Sequence, residues 1–112
     1  MSQTSAPLGW INFWKPIDAW YYASPGERAS YLAQRAEIAR LAEGAGARRV
    51  GSYKCRGQSS WPRFEVWEFP SLETLVQMTE RLEAVGHYRY FAESNTVGRR
   101  YTSVPDPESW EL

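Results

Sequence analysis

The amino-acid sequence predicts an α+β domain in which four antiparallel strands form one sheet and the helices cover one face of it. Periodic apolar patterns indicate elements in the order strand, helix, strand, strand, helix, strand. Two βαβ halves in this order give the split βαβ arrangement of a ferredoxin-like fold. At 112 residues the chain fits a single domain, with its core over about 9–103 and irregular ends at 1–8 and 104–112.

The first half of the chain predicts a strand followed by a long helix. Residues 9–15 read GWINFWK, an alternation with apolar side chains on both faces, which is typical of a strand covered on both sides. Residues 24–27 read SPGE, in which the serine caps a helix, the proline fits its first position and the glutamate completes a capping box. Apolar residues at three- and four-residue spacing then predict an amphipathic helix over about 25–43.

The second half predicts a hairpin, a second helix and a last strand. RRVGSYKCR at 48–56 and RFEVWEFP at 63–70 are strands joined by a loop, so we expect them to pair as an antiparallel hairpin. The serine that opens the segment 71–86 caps the second helix, which ends near the glycine at its close. HYRYF at 87–91 adds a short helical turn, and the last strand covers 95–102.

Composition narrows the functional classes. Lys plus Arg and Asp plus Glu each number 13, with no long run of one sign, which argues against nucleic acid or an anionic membrane as partner. Cys55 is the single cysteine and no leader-like start is present, which favours a reducing, cytoplasmic setting. No zinc cluster, glycine-rich phosphate loop or nucleophile elbow is found, and no metal site is expected. The aromatic fraction is high at 15%, which is typical of cores, interfaces and ligand pockets.

Three segments carry a resemblance to known proteins: KPIDAWYYASPGER, FEVWEFP and GHYRYFAESNTVG. Across roughly residues 9–101 the chain resembles the dimeric α/β-barrel superfamily, which includes small antibiotic-pathway monooxygenases and haem-degrading enzymes, and is most similar to an uncharacterised bacterial family of unknown function. The resemblance implies a homodimer in which two sheets face one another across a two-fold axis, with a pocket between each protomer's sheet and helices. It implies no single reaction, because members of this fold carry out several unrelated ones.

His87 is the only histidine, so any mechanism that requires imidazole must use it. Resemblance places it close to the iron-ligating histidine of haem-degrading relatives. Those relatives also carry a tryptophan about ten residues earlier, where this chain has Gln77 and Met78. The alternative is a histidine at a helix terminus that bonds backbone carbonyls or is favoured by the helix dipole.

Asn12 and Glu65 are the other candidate catalytic residues. Asn12 lies between Trp10 and Trp14 on one strand face, where an amide between two indoles would orient a polar group of a flat ligand. The alternative is that both tryptophans fill a dimer interface. Glu65 shares a face with Trp67, and burial would raise the pKa of its carboxyl towards that of a general base. A structural ion pair is the alternative, with these available partners: Arg63, Arg99 and Arg100.

The predicted ligand-binding residues are aromatic or basic side chains from the same elements: Trp10, Trp14, Trp20, Tyr22, Trp67, Tyr88 and Arg99. The side chains that precede the first helix and follow the second would form an aromatic vestibule at the pocket mouth, or else a hydrophobic clamp between loop and helix.

Three functions follow as hypotheses. The first is a cofactor-independent oxygenase, cyclase or isomerase that acts on a flat aromatic or polycyclic small molecule, as expected of an aromatic pocket with few polar groups. The second is a haem-binding or haem-modifying protein that uses His87. The third is a non-catalytic ligand-binding or structural dimer.

Overall fold

The computed structural model of the protein describes residues 7–57 and 60–99. Its elements in chain order are β1 (Leu8–Pro16), α1 (Asp18–Tyr22), α2 (Pro25–Gly44), β2 (Arg48–Lys54), β3 (Arg63–Phe69), α3 (Leu72–Ala84), α4 (His87–Tyr90) and β4 (Phe91–Arg99). The sheet order is β2-β3-β1-β4, and each neighbouring pair is antiparallel. The α+β, ferredoxin-like prediction is confirmed, with the two central strands β1 and β3 carrying the candidate catalytic residues Asn12 and Glu65.

The predicted helix starts are confirmed. Ser24 accepts a hydrogen bond from the backbone N–H of Glu27 at 3.1 Å, and the Glu27 carboxylate accepts one from the backbone N–H of Ser24 at 2.9 Å. These hydrogen bonds favour the ionised carboxylate and hold the pKa of Glu27 below its usual value. Ser71 caps α3 in the same way, accepting from the backbone N–H of Thr74 at 3.2 Å.

The last strand begins earlier than the sequence predicted. β4 starts at Phe91 rather than at residue 95, because its first residues continue the ladder with β1, where Glu93 lies opposite Trp14 and Phe91 opposite Pro16. The helical turn before it consequently ends at Tyr90. The predicted end of this strand at 102 and the predicted irregular segment 104–112 lie outside the described residues, as do residues 1–6 of the predicted N-terminal segment. A second difference is α1, a five-residue helix that the sequence did not indicate.

The core lies between one face of the sheet and the helices α2 and α3. Trp10 and Trp67 are direct neighbours across β1 and β3, and both are buried in this core with Phe69. Both helices contribute to this apolar layer: Ile38 and Ala42 from α2, and Leu75, Met78 and Leu82 from α3. Trp10 and Trp67 therefore pack beneath the protomer's own helices, and the sheet face that carries Asn12 and Glu65 is the covered one.

The opposite sheet face carries a group of apolar side chains on its central strands, and none of the described helices packs over it. Phe13 and Phe64 are paired across β1 and β3 with ring centroids 5.3 Å apart, and Tyr53 stacks on Phe64 at 4.8 Å. Ile11 on the same face is 39% exposed. Among the described helices, none has the length and apolar character required to cross a membrane.

Candidate functional site

A small cavity lies between the covered sheet face and the helices, and we call it the inner cavity. Its volume is about 20 Å³, enough for one water-sized group. Its wall combines apolar and ionisable side chains: Trp10, Asn12, Arg35, Ile38, Ala39, Arg49, Glu65, Trp67, Met78, Leu82, His87 and Glu93. Because all four strands and three of the helices contribute to it, its geometry depends on the whole fold.

Four side chains in this region form a hydrogen-bonded chain that we call the buried network. The Asn12 amide donates from Nδ2 to Oε2 of Glu93 at 3.0 Å. The same Glu93 oxygen bonds Nε2 of His87, and Nδ1 of His87 bonds the Tyr31 hydroxyl. His87 is 2% exposed, Asn12 is 3% exposed and the Glu93 side chain is 5% exposed. The network thus links β1, β4, α4 and α2 away from solvent.

The two partners of His87 determine which of its nitrogens carries the proton. A carboxylate oxygen can only accept, so Nε2 of His87 donates to Glu93. In the neutral imidazole Nδ1 is then the acceptor of the Tyr31 hydroxyl, which burial keeps protonated by raising its pKa well above the ordinary value. The ring is held in one tautomer, with its N–H aimed at a carboxylate.

Two oxygen atoms of the buried network form no hydrogen bond of normal geometry with the described residues. They are Oδ1 of Asn12 and Oε1 of Glu93, and both are inaccessible to solvent. A buried acceptor without a partner costs about 1–3 kcal/mol, which is why such atoms are rare in native proteins. Both residues line the inner cavity, so an O–H or N–H group placed there would meet acceptors that the fold itself leaves unsatisfied.

Glu65 has both carboxylate oxygens engaged. Oε2 forms an ion pair with Nη2 of Arg35 at 2.5 Å, and Oε1 accepts from Nε1 of Trp67 at 2.7 Å. The observed cationic partner comes from α2, whereas the sequence had indicated other arginines: Arg63, Arg99 and Arg100, the last of which lies outside the described residues. The carboxylate therefore has a partner on each oxygen and links Arg35 of α2 to Trp67 of β3.

A larger open depression, the outer cleft, adjoins the inner cavity. It has a volume of about 480 Å³ and lies between α2 and the strands β2 and β3. The residues that line it are Trp14, Leu32, Arg35, Ala36, Arg49, Ser52, Tyr53, Lys54, Arg63, Phe64 and Glu65. Arg35, Arg49 and Glu65 line both spaces, so the Arg35–Glu65 ion pair stands at the boundary between them.

Residues 9–105 of the chain match the sequence model of DUF6616, a family of unknown function. The chain is a member of the DUF6616 family. A comparison with curated proteins finds no significant match to this sequence.

The DUF6616 chain is similar in fold to several solved structures. A chlorite dismutase mutant from Candidatus Nitrospira defluvii matches with a TM-score of 0.67 and 16% identity over 87% of this chain and 41% of that one. A haem-binding protein from Thermus thermophilus matches with a TM-score of 0.65 and 19% identity over 94% of this chain and 46% of that one. A protein of unknown function from Rhodopseudomonas palustris matches with a TM-score of 0.58 and 19% identity over 90% of this chain and 85% of that one. The chain therefore spans less than half the length of the first two, and at these identities the likeness shows the fold, that of the dimeric α/β-barrel proteins.

The inner cavity of this DUF6616 protein gathers five of the ten site residues that the sequence predicted. Trp10, Asn12, Glu65, Trp67 and His87 all line it. Trp14 is half-buried in the outer cleft. The Trp and Asn alternation on β1 and the Glu and Trp alternation on β3 thus meet at one place, as expected of side chains on one face of neighbouring strands.

The remaining predicted ligand-binding residues lie elsewhere. Trp20 packs edge-on against Tyr31 at 5.7 Å, in an aromatic cluster that also contains Tyr90 and Phe91. Tyr88 lies edge-on to His87, and its pKa is raised to about 12 by burial first, then by the charges of Glu93 and Glu83 and by its hydrogen bonding to the Glu93 carboxylate. Tyr22 is 86% exposed, and the exposed Arg99 lies opposite Leu8 at the end of β4; these two line neither the inner cavity nor the outer cleft.

Sequence reasoning missed Glu93, Tyr31 and Arg35. For Glu93 a signal existed, because Phe91, Glu93 and Asn95 alternate and would have marked an earlier start of β4. Tyr31 and Arg35 lie one helical turn apart on α2 and point to the sheet. Their partners are 56 and 30 residues away, and no local pattern indicates such pairs.

One of the similar structures is a haem-binding protein. Haem does not fit at His87 in the present chain, for two reasons. Iron needs a ring nitrogen with a free lone pair, but Nδ1 accepts from Tyr31 and Nε2 carries the hydrogen donated to Glu93. The inner cavity beside the ring is about 20 Å³, far too small for a porphyrin. Within the described residues, no three His, Cys, Asp or Glu side chains are grouped so as to hold a metal ion.

Proposed function

We propose that this DUF6616 protein is a small-molecule enzyme that needs no cofactor and removes a proton from a flat, hydroxyl-bearing aromatic substrate. One observation supports this above the others: two buried acceptor atoms, Oδ1 of Asn12 and Oε1 of Glu93, form no hydrogen bond of normal geometry with the described residues, and they lie beside a histidine held in one tautomer. The Tyr88 hydroxyl interacts with the Glu93 carboxylate but does not meet this geometry. A substrate O–H supplies the donor that Oε1 of Glu93 lacks. Apolar pockets with a few convergent polar groups are the usual form of a small-molecule site.

The sizes of the two spaces determine how such a substrate would bind. The inner cavity, at about 20 Å³, accepts only a hydroxyl-sized group. The outer cleft, at about 480 Å³, has room for an aromatic ring. The substrate ring would therefore lie in the outer cleft with its hydroxyl inserted past the Arg35–Glu65 ion pair.

In this pose each residue has a distinct role. The substrate proton passes to Oε1 of Glu93, and the electron pair of the O–H bond stays on the substrate oxygen, which accepts from a donor on the cavity wall such as Arg35. The N–H of His87 and the amide N–H of Asn12 hold the other Glu93 oxygen, so both act as positioning residues for Glu93, as Glu65 does for Arg35. An ionised phenol or enol is the shared first intermediate of oxygenation, cyclisation and isomerisation.

A chromogenic phenol whose phenolate absorbs visible light tests the proton transfer without knowledge of the overall reaction. At a pH below the pKa of the free phenol, we expect the protein to increase the phenolate fraction of the bound probe. Asn12→Ala and Glu93→Gln should abolish this increase, and turnover of candidate quinols, followed by oxygen uptake, should fall on the order of 10²-fold in both. Glu37→Gln, in an exposed ion pair on α2, serves as the control. Wild-type ionisation and turnover in both variants would refute the mechanism.

Haem binding is the second candidate function, and the fold likeness to a haem-binding protein favours it. Both ring nitrogens of His87 are occupied, which opposes iron binding. We therefore expect haemin titration of the wild-type protein to give no saturable Soret band that depends on His87. Tyr31→Phe frees Nδ1 of His87 and is the matched variant. A Soret band present in the wild type and lost in His87→Ala would replace the proton-transfer proposal with haem binding.

We also propose that two copies pair through the uncovered sheet face that carries Ile11, Phe13, Phe64 and Val66. What supports this is the number of apolar side chains on a face that the protomer's helices leave open. Sedimentation velocity should give about twice the 12.9 kDa mass of the chain, and Ile11→Lys should shift it to the monomer. A wild-type monomer at micromolar concentration would exclude the pairing.

A further inference from the structure

The outer cleft carries an excess of positive charge. Four cationic side chains line it, from Arg35, Arg49, Lys54 and Arg63, and the carboxylate of Glu65 is the acid among its lining residues. Glu65 is paired with Arg35, while Arg49, Lys54 and Arg63 have no carboxylate partner among the described residues. The cleft is therefore electrostatically suited to an anion.

Two of these cations lie directly opposite one another on neighbouring strands. Lys54 of β2 and Arg63 of β3 are register partners, and both line the outer cleft. Like charges at opposing positions of an antiparallel pair destabilise the sheet. An anion bound between them would offset this repulsion, so binding of an anionic ligand should stabilise this pair of strands.

The indole of Trp14 supports two guanidinium groups at the same end of the cleft. The guanidinium carbon of Arg35 lies 5.4 Å from the Trp14 ring centroid, and that of Arg63 lies 5.3 Å from it. A guanidinium held over an aromatic ring by cation–π attraction keeps its N–H groups available for a planar anion. Trp14 also offers an apolar surface to the ring that would carry the anion.

We propose that Arg63 and Lys54, with Arg35, form a seat for a carboxylate, so that the substrate class is a hydroxylated aromatic acid. The inference rests on the proposed function for the hydroxyl end of the molecule. The carboxylate lies among the cations of the outer cleft and the hydroxyl reaches Asn12 and Glu93 in the inner cavity. Arg35 contributes to both ends, because it lines both spaces through its ion pair with Glu65.

Calorimetric titration of the full chain tests the seat without any turnover. The probes are 4-hydroxybenzoate, its neutral match 4-hydroxybenzamide, and inorganic phosphate. We expect the carboxylate to bind at least about tenfold more tightly than the amide, since a charge-assisted contact between a carboxylate and a guanidinium is among the strong ones. Arg63→Gln and Lys54→Gln should each reduce this preference severalfold, and added salt should weaken it because the cleft is open to solvent.

The control is Arg48→Gln, because Arg48 precedes Arg49 on β2 but faces the other side of the sheet, where it pairs with Glu68 at 2.7 Å. This variant should bind like the wild type. Equal affinity for the acid and the amide would overturn the seat, as would an unchanged preference in Arg63→Gln and Lys54→Gln. Inorganic phosphate binding as tightly as 4-hydroxybenzoate would overturn the carboxylate assignment.

The seat and the proton-transfer proposal can fail separately. Asn12→Ala lies in the inner cavity and should keep the preference for acid over amide. A preserved preference together with unchanged phenol ionisation in Asn12→Ala would remove the proton-transfer mechanism and leave the seat. Loss of phenol ionisation in Asn12→Ala, together with equal binding of the acid and the amide, would remove the seat and leave the proton-transfer mechanism.

Discussion

Trp67→Ala is expected to lower the free energy of unfolding by about 3–5 kcal/mol, the usual cost of deleting a large buried aromatic side chain. Trp67 is 2% exposed and stacks on Phe69 with ring centroids 5.7 Å apart. Its truncation leaves a cavity beneath α2 and α3 and also removes the donor to Oε1 of Glu65. Urea denaturation followed by circular dichroism measures the loss.

Tyr22→Ala is the matched aromatic deletion, because Tyr22 is 86% exposed, and it should change stability by no more than about 0.5 kcal/mol. The loss in Trp67→Ala should not depend on protein concentration, since this indole packs within its own protomer. A loss that grows on dilution would place Trp67 in an interface between copies and contradict the structure.

Glu93→Ala is expected to cost about 2–4 kcal/mol, because it leaves two buried donors without an acceptor. These are Nδ2 of Asn12 and, in the tautomer that donates to Glu93, Nε2 of His87, and each unsatisfied buried group costs about 1–3 kcal/mol. Glu93→Gln retains an amide oxygen that still accepts, so it should be less destabilised while losing the proton acceptor of the proposed mechanism. Thermal and urea denaturation of both variants give the comparison.

Glu37→Ala removes a carboxylate of the same kind from an exposed ion pair with Arg40 on α2 and should leave stability unchanged within error. Equal stability of Glu93→Ala and the wild type would mean that the buried network contributes nothing to the fold. The proposed mechanism would then lose its fixed imidazole.

The fold was largely predictable, and about half of the site was. The capping box at Ser24 and the cap at Ser71 are local hydrogen bonds between a side chain and a nearby backbone N–H, so the sequence shows them directly. The strand alternations placed Asn12 with the tryptophans and Glu65 with Trp67, because successive side chains on a strand point to opposite faces. The start of β4 was missed because its ladder with β1 extends to Pro16 and incorporates Phe91.

What the sequence alone determined is the element order, the helix starts and the sets of side chains that share a strand face. These depend on interactions within a few residues or on the period of the strand. Only the tertiary structure decided that the face of Asn12 and Glu65 is the one covered by the helices. It also decided that Arg35 rather than Arg63 pairs with Glu65 and that Glu93 and Tyr31 hold His87. Those partners are brought together by sheet register and by packing of α2 on the sheet, which join residues far apart in the chain.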